Sequence, residues 1–121
     1  MLMIQIVAIF FGGGLGSLAR YGVSEMANLF FSNSLKVTIF ATLIANILAC
    51  LILGYFMGKD IQPKYIIFWS VGFCGGFSTF STFSNEVLQL IKLGQYALVF
   101  AYVVFSVTLS LVALVLGSKI F

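Results

Sequence analysis

The sequence predicts an all-α integral membrane protein of four transmembrane helices, the third broken partway across the membrane. Three observations carry that expectation. Of 121 residues, 62% are hydrophobic and 7% charged, where soluble domains carry about 25% charged residues, so a soluble chain of this size has no means of hiding its apolar surface. The apolar residues form four runs joined by short polar connections, each run meeting the ~20 residues that a spanning helix requires. The third run holds residues 72–86, where three glycines within five positions precede alternating hydroxyls and aromatics. The whole of 1–121 is used by one membrane unit.

The first span is placed at residues 3–30. The start at Met1 lacks the positive n-region of a secretory signal, and its apolar run outlasts an h-region. Gly12 and Gly16, with Gly13 and Ser17 beside them, make small-xxx-small faces that let helices approach closely. Arg20 admits two readings: an anchor that snorkels to the interface, or a source of positive potential in a water-filled vestibule. Glu25, five residues on, is placed to compensate it in part.

Ser32, Asn33 and Ser34 form a polar turn, and span 2 follows at 37–57. Ala41, Ala45 and Ala49 make one stripe at spacing four, and Asn46, Cys50, Gly54 and Gly58 a neighbouring one. Asn46 is therefore expected to face other helices. It either makes an interhelical hydrogen bond or offers its N–H groups to a passing anion.

A polar connection at 59–64 holds the single proline, Pro63, at a helix start where proline is tolerated. Span 3 covers 64–93 and is interrupted at 74–79. Such a break is tolerated at membrane depth only inside protein or against a watery cavity. The restarted half presents free N–H groups and a positive dipole end to an anion, while the carbonyls ending the first half suit a cation. Beyond the break, Phe80 and Phe83 share one face, and Thr79, Thr82 and Glu86 make a polar stripe. Two rings are ordinarily core packing, but their positive edges beside hydroxyls also suit a small dehydrated anion. Conduction favours such weak, successive sites over a fixed full charge.

After Gly94 and Gln95, span 4 is placed at 96–118, with Tyr102, Ser106 and Ser110 recurring every four residues. Those hydroxyls either bond back to preceding carbonyls or form a polar ladder that substitutes for hydration.

The net charge of +3 comes from six basic and three acidic residues, too few and too scattered for a nucleic-acid face. With both termini on one side, that side holds Lys59, Lys64 and Lys119, against Arg20, Lys36 and Lys92 on the other. Three against three gives almost no positive-inside bias, which permits insertion both ways and an antiparallel dimer; without Arg20 the count is three against two. No internal repeat is visible, so two-fold symmetry is expected from two chains. Cys50 and Cys74 fall within spans, where a thiol behaves as a small apolar group. With no His and no Cys-x-x-Cys there is no metal-ligand cluster, nor a nucleophile-base pair for catalysis. A proton-coupled exporter of the small multidrug type needs a carboxylate inside the first span, and residues 1–24 contain none. A scaffold that only packs through its glycine faces leaves the broken third span unexplained.

The chain resembles the Fluc (CrcB-type) fluoride channels along nearly its whole length. Residues 12–21 look like that family's first-helix pattern of glycines ending in Arg-Tyr, 41–46 like its second-helix segment ending in Asn, and 72–83 like its most specific signature. Phe77 and Ser78 stand where the family usually has Leu and Thr, and Ala41 and Ala45 where it has Gly and Val. The resemblance implies passive export of cytoplasmic fluoride through two pores of an antiparallel, dual-topology dimer in the cell membrane, such as a bacterial inner membrane. It implies a homodimer or, as in some members, a pair of unequal subunits, surrounded by membrane lipid. Phe80 and Phe83 would form an aromatic fluoride box and Asn46 a pore-facing amide. Tyr102, Ser106 and Ser110 would form a polar track, with Ser81 and Thr82 near it. Arg20 would lie in the vestibule and Glu86 near the pore axis. Carbonyls of Gly75 and Ser78 from both subunits would hold a structural sodium ion, and the bulk of Phe77 would bear on dimer packing.

Overall fold

The structure is a computed structural model that describes residues 2–120; Met1 and Phe121, the ends of the expected single unit, lie outside the described residues. The described residues are helical with no strand. Helix α1 runs Leu2–Phe30 and α2 Leu35–Met57; α3 (Pro63–Ile67) continues into a π-helical segment (Phe68–Cys74), the single turn α4 (Gly75–Phe77), and α5 (Phe80–Lys92); α6 is Tyr96–Lys119. Four stretches, Leu2–Phe30, Leu35–Met57, Pro63–Lys92 and Tyr96–Lys119, are long and apolar enough to cross a membrane. Even the 23 residues of α2 reach ~35 Å at 1.5 Å per residue, past the ~30 Å hydrocarbon core.

Local chemistry sets the boundaries. Ser34, extended at φ −132° and ψ 161°, caps α2 by accepting from Val37 N–H. Pro63 occupies the first turn of α3, where its missing N–H has no cost. Gly94 at φ 73° turns the chain from α5 into α6 through a left-handed conformation that glycine adopts freely.

Small residues decide the packing. A Cβ on Gly16 would collide with the Phe73 carbonyl, and one on Gly76 with the carbonyl of Gly13. Backbone therefore lies on backbone where α1 meets the interrupted span, as the first-span glycines predict. The same holds between α2 and α6, where Gly54 abuts Leu114 and Gly117 abuts Leu51. Ala41, Ala45 and Ala49 are buried together, which bears out the alanine stripe. Phe77 is corrected relative to expectation: it is buried against Ala45 and Ala49 of its own chain instead of standing on a face for a partner. The small alanines leave the room that its ring fills.

The interruption of the third span is confirmed and enlarged. Ser78 and Thr79 are extended (ψ 158° and 122°), inside the expected 74–79. The π-helical segment before them was not foreseen. Its wider turns lie where Gly12 and Gly16 bring α1 against Phe68, Gly72 and Phe73, and π-bulges of this kind gather at functional sites.

Candidate functional site: a cavity at the helix break

Thr79 is where the site is built. In an unbroken helix its N–H would reach the Gly75 carbonyl; instead it donates to Asn46 Oδ1 at 2.8 Å, and Asn46 Nδ2 donates to the Thr79 carbonyl at 3.3 Å. A donor facing the oxygen and an acceptor facing the nitrogen leave one orientation for the amide. Asn46 thus grips both main-chain groups of the residue at the break, and of the two sequence readings the interhelical hydrogen bond is realised. Thr79 in turn caps α5 by accepting from Thr82 N–H at 3.1 Å, so a polar break inside an apolar span is satisfied by side chains.

Arg20 forms the second clamp. Its Nε donates to the Gly76 carbonyl at 3.1 Å, one residue from the carbonyl that Thr79 vacates. The arginine is half-buried against the break, and Glu25 is exposed and takes no part in that bond. With Arg20 spent inside the protein, the lysines alone decide the charge comparison, three against two.

Glu86 is buried at 1% exposure, held by the Thr42 hydroxyl (3.0 Å to Oε2) and the Tyr102 hydroxyl (2.8 Å to Oε1). It ties α5 to α2 and α6 within the chain instead of facing an open vestibule. Removing the acceptor strands two buried hydroxyls at ~1–3 kcal/mol each. Glu86→Leu is therefore expected to lower the melting temperature in detergent well below that of Glu86→Gln, which keeps a carbonyl acceptor; equal melting of the two variants would refute this role.

Beside the break lies an open cavity of about 270 Å³ whose walls include Asn46, Ser78, Phe80, Phe83, Ser106 and Ser110. Five of the predicted pore residues, on three different helices, meet there. Phe80 and Phe83 are 5.8 Å apart between ring centroids at 39°, and Phe83 leans on Tyr102 at 4.9 Å. The Ser106 hydroxyl is buried and has no hydrogen-bond partner, so it does not bond back to its own helix. Tyr102 has left the ladder for Glu86. Ser81 is exposed, its hydroxyl 3.4 Å from that of Thr79, and neither it nor Thr82 lines the cavity. Ser78, expected at a sodium site, and Thr79 line it as well, and so does Cys50, whose placement one turn after Asn46 was the available signal.

A second cavity of about 150 Å³ adjoins Cys74, Gly75 and Ser78. Among the described residues no group of His, Cys, Asp or Glu suits a metal ion.

Four spans, one of them broken and clamped by side chains, with a polar and aromatic cavity at the break, define a multi-pass α-helical membrane protein of the ion-conducting kind. The chain belongs to the CrcB-like family: the family described as "CrcB-like protein, Camphor Resistance (CrcB)" matches residues 7–118. Among its relatives is a protein named fluoride-specific ion channel FluC from Pyrococcus horikoshii, 40% identical over 117 residues, 93% of this chain and 91% of the other. Proteins of the same name from Bacteroides fragilis (38% over 119 residues; 95% and 94%) and Gloeothece citriformis (34% over 116; 95% and 94%) are also similar.

Proposed function

We propose that this chain is the subunit of a fluoride-selective channel that lets toxic cytoplasmic fluoride leave by passive conduction. The observation that carries the reading is the cavity at the break, where the Asn46 amide, Ser106 and Ser110, and the rings of Phe80 and Phe83 converge from three helices and one hydroxyl, Ser106 Oγ, is buried without a partner. A small anion losing its water needs donors that replace hydration without holding it, and neutral N–H, O–H and ring-edge groups provide that. Fluoride accumulates because hydrogen fluoride enters at lower external pH and dissociates inside; the trapped anion then leaves down its own gradient.

The subunit works as an antiparallel, dual-topology dimer with two pores. Phe80, a predicted pore residue, is 79% exposed in the single chain, and the cavity it lines is open; a second copy covers both. The near balance of basic residues across the membrane permits that arrangement. A structural sodium ion is held at the dimer centre by carbonyls of Gly75 and Ser78. The donor chemistry fits: diversion of Thr79 N–H to Asn46 frees the Gly75 carbonyl of its helical donor, and carbonyl oxygen suits a hard cation. When bound, that ion supplies fixed positive charge at the dimer axis. Arg20, besides clamping the break, adds positive potential on the approach, and the protein resides in the cell membrane, as in a bacterial inner membrane.

Liposomes holding only this purified chain test the proposal with a fluoride electrode. Fluoride-selective efflux over chloride, without an imposed proton or sodium gradient, is expected, and silence from a folded sample overturns the self-sufficient channel. Phe80→Ile and Phe83→Ile are each expected to cut that efflux at least tenfold while the dimer stays assembled, since ring edges are lost and apolar bulk is kept. Undiminished flux in both variants removes the aromatic site.

A further inference from the structure

At the membrane end formed by the turn between α1 and α2, an apolar groove of about 420 Å³ runs between the two helices, lined by Val23, Ala27, Phe31, Val37 and Phe40 and by one charged residue, Lys36. Its size falls within the ~300–1,000 Å³ of ligand pockets. The charge at its rim is out of place for the helix that carries it. Lys36 is the second residue of α2, a 23-residue helix with no acid in its first turn, so its ammonium adds to the positive end of the helix dipole when an anion belongs there. Lys36 makes no ion pair among the described residues. The backbone leaves donors at the same place. Of the first N–H groups of α2, the cap Ser34 takes those of Val37, through its hydroxyl, and Thr38, through its carbonyl; those of Leu35 and Lys36, the first two of the helix, lie outside what this cap satisfies.

An unpaired cation, two N–H groups outside the cap and an apolar trough beneath them share one location at the end of two membrane spans. We infer that this groove binds an anionic phospholipid, its phosphate on Lys36 and the α2 N-terminus and one acyl chain along Val23, Ala27 and Phe40. A zwitterionic lipid fits the trough equally but carries no net charge to answer Lys36, which makes headgroup charge the distinguishing property. This site lies apart from the cavity at the break and serves attachment to anionic lipid, one copy at each leaflet in the antiparallel dimer, not conduction.

Native mass spectrometry of the full chain in its own oligomeric state tests the inference, with phosphatidylglycerol and phosphatidylcholine of identical acyl chains. Phosphatidylglycerol is expected to be retained about fivefold better, the worth of one basic residue near an anionic headgroup. Lys36→Gln, at an exposed position, should erase that preference and Lys36→Arg should keep it. Ala27→Trp, which fills the trough, should weaken retention of both lipids. No preference in the wild type, or a preference that survives Lys36→Gln, overturns the inference. Retention of both lipids unchanged by Ala27→Trp in an intact oligomer does the same, because it places the chain elsewhere or gives the trough to a second copy.

Discussion

Asn46→Asp is expected to lower fluoride efflux at least 100-fold in reconstituted liposomes. The substitution changes one atom and acts twice. A carboxylate still accepts from Thr79 N–H but cannot donate to the Thr79 carbonyl, and it sets oxygen against oxygen where a 3.3 Å hydrogen bond stood. It also places a full negative charge on the wall of the cavity shared with Ser106 and Ser110. Two like charges ~4 Å apart repel by about 4 kcal/mol at an effective dielectric of ~20, which alone exceeds the stated loss. Asn46→Leu separates the two effects, since it removes the clamp without adding charge. Hydrogen exchange at the Thr79 amide should become fast in the Leu variant and stay slow in the Asp variant. A conducting Asp variant, within twofold of wild type, refutes the placement of Asn46 on the anion's path.

Gly16→Val is expected to abolish the folded protein, read as loss of the monodisperse peak in detergent size-exclusion chromatography. A Cβ at Gly16 overlaps the Phe73 carbonyl and comes within 2.9 Å of Phe77 N. Backbone atoms cannot rotate away as a side chain does, so α1 must lift off the interrupted span. Overpacking ordinarily costs ~1–3 kcal/mol, and here the displacement also pulls Arg20, one turn on, from the Gly76 carbonyl. Gly14→Val is the matched control, because nothing lies within 4 Å of a Cβ there. Equal behaviour of the two variants contradicts the close approach.

The residues that made the site legible in the sequence are those whose meaning is local. Gly12 and Gly16 at spacing four announced a close helix contact, and Phe80 with Phe83 announced a shared face, because helical periodicity alone decides which side chains sit together. The glycines and hydroxyls of 72–86 announced a break because the glycines lower the cost of leaving the helix and the serines and threonines that follow can cap a restarted one, whereas the glycines of α1 lack that cap-forming run and stay helical. The π-helical segment was not legible. Its residues, Phe68–Cys74, include Ser70 and Gly72 but nothing in their order that tells a π turn from an α turn, and their widened turns coincide with the backbone of α1 lying directly on them.

Partnerships were equally hidden, and each turned a role. Arg20 was readable as an anchor or a vestibule charge, yet its bond goes to Gly76, 56 residues away. Glu86 was readable as a polar position on α5, yet burial between Thr42 and Tyr102 gives it a bracing role and removes Tyr102 from the ladder of Ser106 and Ser110. Phe77 was expected at a subunit contact and instead fills the space over Ala45 and Ala49. By itself the sequence determined four apolar spans, their small-residue faces and the position of the break, since hydropathy and helical spacing are properties of neighbouring residues. Which carbonyl Arg20 takes, which main-chain groups Asn46 grips and which hydroxyls close on Glu86 were decided only by tertiary structure, because a buried polar group must be satisfied by whatever the packing of distant segments brings within hydrogen-bond reach.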